Sequence, residues 1–151
     1  MQDFKLEINS SNIYDLVIGV DGQLEGVNDF TTAITTSLLS DARAGASQVS
    51  VPQYRRGWIG NVVSPIEGRQ YGSLLWLIEQ SRLTQSTLNF AIDYARSSLS
   101  WIVEQGIAAN IEVTGRISSA SGITLNIVVT SLSGQTETHY VNMWENTKNA
   151  N

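Results

Sequence analysis

Residues 84–106 read TQSTLNFAIDYARSSLSWIVEQG, and residues 107–130 continue IAANIEVTGRISSASGITLNIVVT. The hydrophobic period changes between the two. In the first, Leu88, Ile92, Ala95, Leu99 and Ile102 recur at steps of 4, 3, 4 and 3, which lays one apolar stripe along a helix. Thr84 supplies an N-cap hydroxyl and Gly106 stands where a C′ glycine is expected. The spacing therefore predicts a helix over 85–105, about 30 Å long at 1.5 Å per residue. After Gly106 the period falls to two. Residues 108–117 form a strand with Ile111, Val113 and Ile117 partly alternating, and Ser118 to Gly122 make a hairpin turn. In 123–130, Ile123, Leu125, Ile127 and Val129 share one face. Ser133-Gly134 turns the chain again, and 136–144 give a third strand ending at Met143-Trp144. Strands following helices predict an α+β fold: a C-terminal antiparallel meander of three or four strands packed against about three helices.

Working outward, Ser73 caps a predicted helix over 73–82, with Leu74, Leu77 and Ile78 on one face. Asn28 or Asp29 caps another over 29–43, striped by Phe30, Ala33, Ile34 and Leu38. Residues 13–20 read as a β-branched strand stopped by the turn dipeptide Asp21-Gly22. Between Gly45 and Gly72 neither period holds. This stretch contains both prolines (Pro52, Pro65) and the glycines Gly57, Gly60 and Gly68, so it reads as one extended loop. Loops beyond about 15 residues in a domain are usually functional or disordered. Tyr54, Trp58, Ile59 and Tyr71 argue against disorder, so the loop wraps either a partner or its own helices.

The chain has 151 residues, 15% of them charged, no cysteine, one histidine and a formal charge of −5. That length is one domain, expected over 1–145 with a polar tail at 146–151. Without cysteine there are no disulfides, thiolate zinc sites or cysteine nucleophiles. A single histidine leaves no multi-histidine metal site. No cofactor is expected. The acidic balance argues against nucleic acid, whose phosphates need Lys and Arg. No apolar run reaches the roughly 18 residues of a membrane span, and Met1 to Lys5 lack the layout of a signal peptide. Ser, Thr, Asn and Gln make up about a third of the chain. Such a neutral polar surface suits permanent burial in an assembly, because burying a charge costs more than burying a hydrogen-bonded hydroxyl or amide.

Catalytic signatures are sparse. Glycoside hydrolysis needs two carboxylates about 5–9.5 Å apart, whereas Asp93 and Glu104 on the long helix are separated by roughly 16 Å. Asp93 instead meets Arg96 at i+3, and Glu79 meets Arg82 at the same spacing. Glu67 is the one acid left to name for a glycosidase. His139 lies in a strand with no orienting partner identified, the setting of a surface or interface residue. No Walker-type glycine loop is present. The distinctive block is Arg55-Arg56-Gly57-Trp58. Two arginines beside an aromatic suit nucleic acid, a phosphate or a protein carboxylate; the acidic balance argues against nucleic acid, which leaves chiefly a protein interface or ion pairs that tie the loop to its own domain.

From about 13 to 130 the sequence resembles the small baseplate protein of Mu-like contractile-tailed phages. The matching features run in order: Asp21-Gly22, Leu38-Leu39-Ser40-Asp41-Ala42-Arg43, Arg55-Arg56-Gly57-Trp58-Ile59-Gly60-Asn61, Gly72-Ser73-Leu74-Leu75-Trp76-Leu77, and Tyr94-Ala95-Arg96 through Gly106. That family is similar in turn to the wider baseplate-wedge, or sheath-initiator, family. The resemblance implies a non-enzymatic virion protein of the tail baseplate, about six copies ringing the hub, next to spike or tube proteins. Larger wedge proteins and the tail sheath protein are its implied partners. The wider family's Glu-Pro-Arg motif, which grips the wedge, corresponds here to Glu67-Gly68-Arg69, with Gly in place of Pro. Arg55, Arg56, Trp58, Glu67 and Arg69 are thus the expected wedge-binding residues. Ile123, Leu125, Ile127, Val129, Tyr140 and Trp144 are expected on the strands that meet the sheath. Two other classes stay open at this stage: a lysozyme-like cell-wall glycosidase using Glu67, and an intracellular interaction module unrelated to virions.

Overall fold

A computed structural model of the chain describes residues 3–11, 13–27, 30–63, 70–118 and 122–143, and its two compact units are Met1–Thr36 and Ser37–Asn151. In the first unit, β1 (Asp3–Phe4) pairs antiparallel with β4 (Gly26–Val27), and β2 (Leu6–Ile8) with β3 (Tyr14–Leu16). Lys5 joins the two ladders. Its N–H donates to the Glu25 carbonyl (2.8 Å) and its own carbonyl accepts from Val17 N–H (3.1 Å). Its ammonium lies 2.7 Å from Glu7 and 3.5 Å from Glu25. The hydrogen bond to Glu7, with help from Glu25, raises the Lys5 pKa above the ordinary lysine value. The expected Asp21-Gly22 turn is present: Gly22 has φ +76° and Asp21 Oδ1 accepts from Gln23 N–H. The strand expected over 13–20 shrinks to β3, followed by a lone bridge between Ile18 and Leu24.

Helix α1 (Thr31–Leu39) follows, with Phe30, Ala33, Ile34 and Leu38 buried as the stripe requires. It is shorter than the expected 29–43 because its last residues are drawn into other bonds. Asp41 forms a parallel bridge with Ser73, in which Ser73 N–H donates to Ser40 and Ala42 N–H donates to Ser73. The proposed caps Asn28 and Asp29 lie outside the described residues.

The same bridge explains the second helical difference. The sequence predicts Ser73 as the cap of a helix over 73–82, but its hydroxyl donates to the Leu38 carbonyl at 2.7 Å and accepts from Leu75 N–H only at 3.4 Å. What forms is a 3-10 turn, Leu75–Ile78, with Leu75 and Ile78 buried. The loop between 45 and 72 contains a 3-10 turn at Pro52–Tyr54 and a four-residue helix α2 (Gly60–Val63).

Helix α3 (Gln85–Glu104) matches its predicted span, with Thr84 Oγ1 accepting from Thr87 N–H and Gly106 at φ +66°. Strands β5 (Ala108–Ser118), β6 (Gly122–Ser131) and β7 (Thr136–Met143) form an antiparallel sheet in the order β5-β6-β7. The α+β class is therefore as the sequence reads. Register places Val113, Ile127 and His139 in one row and Gly115, Leu125 and Val141 in the next. Ile123, Leu125, Ile127 and Val129 are at most 1% exposed, and Leu88, Ala95, Leu99 and Ile102 of α3 are buried with them. At Gly115 α3 and the sheet are in close contact. A Cβ there would stand 3.0 Å from Leu88 Cδ1, 3.1 Å from Leu125 Cδ2 and 3.3 Å from Ile92 Cγ1. His139 shares this face, so its side chain is mostly buried, with Nε2 3.6 Å from the Glu137 carboxylate. Of the two settings expected for it, surface or interface, the open surface is the one it does not occupy.

Candidate docking site

The double arginine sits in a loop that it largely builds. The loop is closed by a backbone bond from Ala44 N–H to the Arg55 carbonyl (2.9 Å). Arg55 donates inward, from Nε to the Val49 carbonyl (2.8 Å) and from Nη2 to the Ser50 carbonyl (3.1 Å). Arg43 crosses the loop to reach the Arg56 and Pro52 carbonyls, at 3.1 and 3.2 Å. Arg56 turns the other way. Its Nη1 lies 3.1 Å from Asp41 and 3.7 Å from Glu79, and its guanidinium stands 4.7 Å from the centre of the Trp76 ring. Glu79 thus meets Arg56 rather than the expected Arg82. The expected Asp93–Arg96 pair is present at 3.3 Å.

Holding these arginines apart requires an unusual backbone. Arg56 has φ +47° and Gly57 φ +117°, two successive residues in a region that disfavours side chains. At Gly57 a Cβ would stand 2.9 Å from Arg43 Cβ, so the chain passes over Arg43 with no room to spare. Trp58 then folds its indole over Gly60, where a Cβ would overlap the ring.

From Trp58 a chain of contacts runs inward within the second unit. The Trp58 ring lies 5.5 Å from that of Tyr71, which lies 6.1 Å from that of Trp101. Trp101 Nε1 donates to Ser37 Oγ at 3.1 Å. Asn61 bonds both backbone groups of Tyr71 at 2.8 Å, accepting from its N–H and donating to its carbonyl. Trp76 Nε1 donates to the Ala42 carbonyl. Of the expected wedge-binding residues, the structure therefore brings Arg55, Arg56 and Trp58 into one loop. Arg55 serves as an internal strut, while Arg56 and Trp58 are about half exposed. Glu67 and Arg69 lie outside the described residues. Sequence reasoning missed Arg43, Asp41, Trp76 and Asn61, whose roles depend on partners up to 34 residues away. It also missed the exposure of Ile59, Val62 and Val63. A Val-Val pair inside a Gly- and Pro-bounded loop was the available signal.

The sheet offers two outer edges, those of β5 and β7. The bond from Ser131 N–H to the Gln135 carbonyl sets the phase of the β6–β7 ladder, since bonded and non-bonded pairs alternate. The backbone groups of Thr136, Thr138, Tyr140 and Asn142 then point away from β6. Among the described residues no other strand pairs with the outer edge of β7 or of β5. β6 is central and has no free edge. The expectation that 123–130 receives an added strand is corrected accordingly: Ile123, Leu125, Ile127 and Val129 are core, with both backbone edges already paired. Tyr140 is exposed on the face away from α3, and Trp144 lies outside the described residues. Among the described residues no three His, Asp or Glu gather into a metal-holding group, and no helix is long and apolar enough to cross a membrane.

Comparison with known proteins adds what geometry alone does not. A family model described as phage protein GP46 matches residues 30–136, which takes in α1, the arginine loop, α3, β5, β6 and the start of β7. The Mu-like prophage FluMu protein gp46 of Haemophilus influenzae (strain ATCC 51907 / DSM 11121 / KW20 / Rd) is 32% identical over 123 residues, 82% of this chain and 83% of that protein. The baseplate protein gp46 of Escherichia phage Mu is 36% identical over 89 residues, 57% of this chain and 59% of that protein.

Proposed function

The chain belongs to the GP46 family of phage proteins, and from that premise we propose that it is a non-enzymatic structural component of a contractile phage tail baseplate, resident in the virion. The observation that carries this reading is the likeness to the protein named as the baseplate protein of phage Mu. Support comes from the built loop and the open sheet edges. Residues 1–145 act as one assembly module, about six copies to a baseplate beside the hub, spike or tube.

Two surfaces do the docking. Arg56 and Trp58 meet a wedge protein, Arg55 holds the loop that presents them, and Glu67 and Arg69 extend the same contact. The outer edge of β7 takes an extended arm of the tail sheath as a fourth strand. Main-chain bonds to Thr136, Thr138, Tyr140 and Asn142 give affinity, and alternate side chains such as Tyr140 and Trp144 give specificity.

Co-expression with the large wedge protein of the same phage, followed by size-exclusion chromatography, tests the wedge contact. Co-elution that Glu67→Gln and Arg69→Ala abolish, with the variants still folded, is the expected result. Separate elution from every tail protein tried overturns the assignment.

A further inference from the structure

The first unit contains a thin amphipathic ribbon. Both of its ladders are two-stranded, so every strand in them is an edge. Register and alternation put Phe4, Leu6, Leu16, Ile18 and Leu24 on one face, with Leu6 opposite Leu16 and Ile18 opposite Leu24. Lys5, Glu7, Asp15 and Glu25 take the other face. There Glu7 stands directly opposite Asp15, and Lys5 is shared between Glu7 and Glu25. The apolar face is open to solvent: Phe4, Leu16, Ile18 and Leu24 are 52%, 45%, 68% and 43% exposed. A two-stranded ladder is marginal in water until an apolar face is packed, so this face calls for a cover.

Charge and area say what the cover is. Residues 1–36 hold six carboxylates and one lysine, a formal −5 that is the whole net charge of the chain. The one lysine is committed to Glu7 and Glu25, and neither Asp15 nor Asp21 has a salt bridge among the described residues. Asp21 sits in the turn that joins Ile18 to Leu24, at the end of the open face. The four exposed side chains offer on the order of 400 Å², about half of the ~800 Å² that each partner gives to a stable complex. The rest of a stable contact must therefore pass the ribbon's edges, only about 5 Å apart, and meet those carboxylates. Two copies face to face would bury about 800 Å² in total, short of the roughly 1,200 Å² a stable complex needs, and would set one −5 unit against another. Nucleic acid and anionic lipid carry the wrong sign.

Resting on the baseplate reading, we propose that the apolar face of this ribbon is a further docking surface, covered by a segment of a different baseplate protein. That segment lays apolar side chains on Phe4, Leu16, Ile18 and Leu24 and carries Lys or Arg around the edges to Asp15, Asp21 and Glu7. The long stems of Lys and Arg suit this, since they cover apolar surface while their charged heads reach past it.

A photoreactive amino acid placed at Ile18, in tails assembled from a phage lacking its own copy of the gene, reads the occupant directly. After irradiation of purified tails, the expected cross-link joins a different tail protein at a segment combining apolar residues with Lys or Arg. A cross-link to a second copy, to the chain's own second unit or to an acidic segment overturns the proposal, as does the absence of any cross-link in tails that contain the chain. Tails that lack the chain altogether overturn the baseplate reading, and this surface with it. Asp15→Lys separates docking from folding. It turns the like-charge Glu7–Asp15 pair into an opposite-charge one, which favours the ribbon, so amide exchange at Lys5, Val17 and Glu25 should be no faster than in wild type. Its incorporation into tails should nevertheless fall at least about tenfold, because a positive charge now meets a basic partner. Wild-type incorporation of that variant also overturns the proposal.

Discussion

Replacing Arg56 with Ala and, separately, with Gly should reverse the usual order of the two residues. Arg56 contributes one half-exposed ion-pair cluster with Asp41 and Glu79, about 0.2–1 kcal/mol after solvent screening. Its position over Trp76 adds about 0.5–1 kcal/mol. Arg56→Ala loses both and keeps the strained φ of +47°, so it should destabilise by about 0.7–2 kcal/mol, the sum of those two contributions. Arg56→Gly loses the same contacts but relieves a left-handed conformation that costs a side-chain residue roughly 1–2 kcal/mol. Against that stands the greater unfolded-state entropy of Gly, about 0.5–1 kcal/mol. The glycine variant should therefore be the more stable, by about 0.5 kcal/mol or slightly more. Urea titration monitored by tryptophan fluorescence measures both midpoints. Repeating it at about 1 M salt, where the Debye length is near 3 Å, should shrink the ion-pair part and leave the Gly–Ala difference. An alanine variant as stable as the glycine variant would refute the backbone argument, and one as stable as wild type would refute the clasp.

Other expectations follow from the same structure. Gly115→Val should destabilise by about 2–3 kcal/mol through overpacking against Leu88, Ile92 and Leu125, and Leu88→Ala should recover part of that loss in a double-mutant cycle read by denaturant unfolding. Thr138→Pro removes an N–H that points away from β6, so monomer stability should change by less than about 1 kcal/mol while sheath assembly on purified baseplates fails. Normal sheath growth on that variant would exclude the β7 edge. The raised Lys5 pKa means that its ion pairs stabilise the first unit fully below the ordinary lysine value of 10.5 and are lost as pH rises through the higher folded value. Hydrogen exchange at Lys5, Val17 and Glu25 amides should show no such alkaline loosening in Lys5→Met.

The parts of the fold that the sequence revealed are those whose cause is local. Helix α3 and strands β5 to β7 each carry their own period, and Thr84 and Gly106 mark the helix ends through bonds only a few residues long. The alternation of Ile123, Leu125, Ile127 and Val129 correctly marks a buried face. It says nothing about edges, because side-chain period reports which face is covered and not which strand lies alongside. That is why β6, whose alternation is clean, reads in the sequence as a docking strand and is instead the centre of the sheet. The shortened α1 and the 3-10 turn at Leu75–Ile78 share one long-range cause, the Asp41–Ser73 bridge, which no window of sequence contains. The arginine block was legible as distinctive, and of its two readings the tie to its own domain is the one the contacts bear out. Arg56 ties the loop to carboxylates of its own unit, and Arg55 ties it to carbonyls.

The most direct test of the baseplate assignment is electron microscopy of lysates from a phage deleted for this gene, with and without the wild-type gene supplied in trans. The account predicts that sheathed tails are absent from the deletion lysate and restored by complementation. Normal sheathed, contractile tails in the deletion lysate would contradict it.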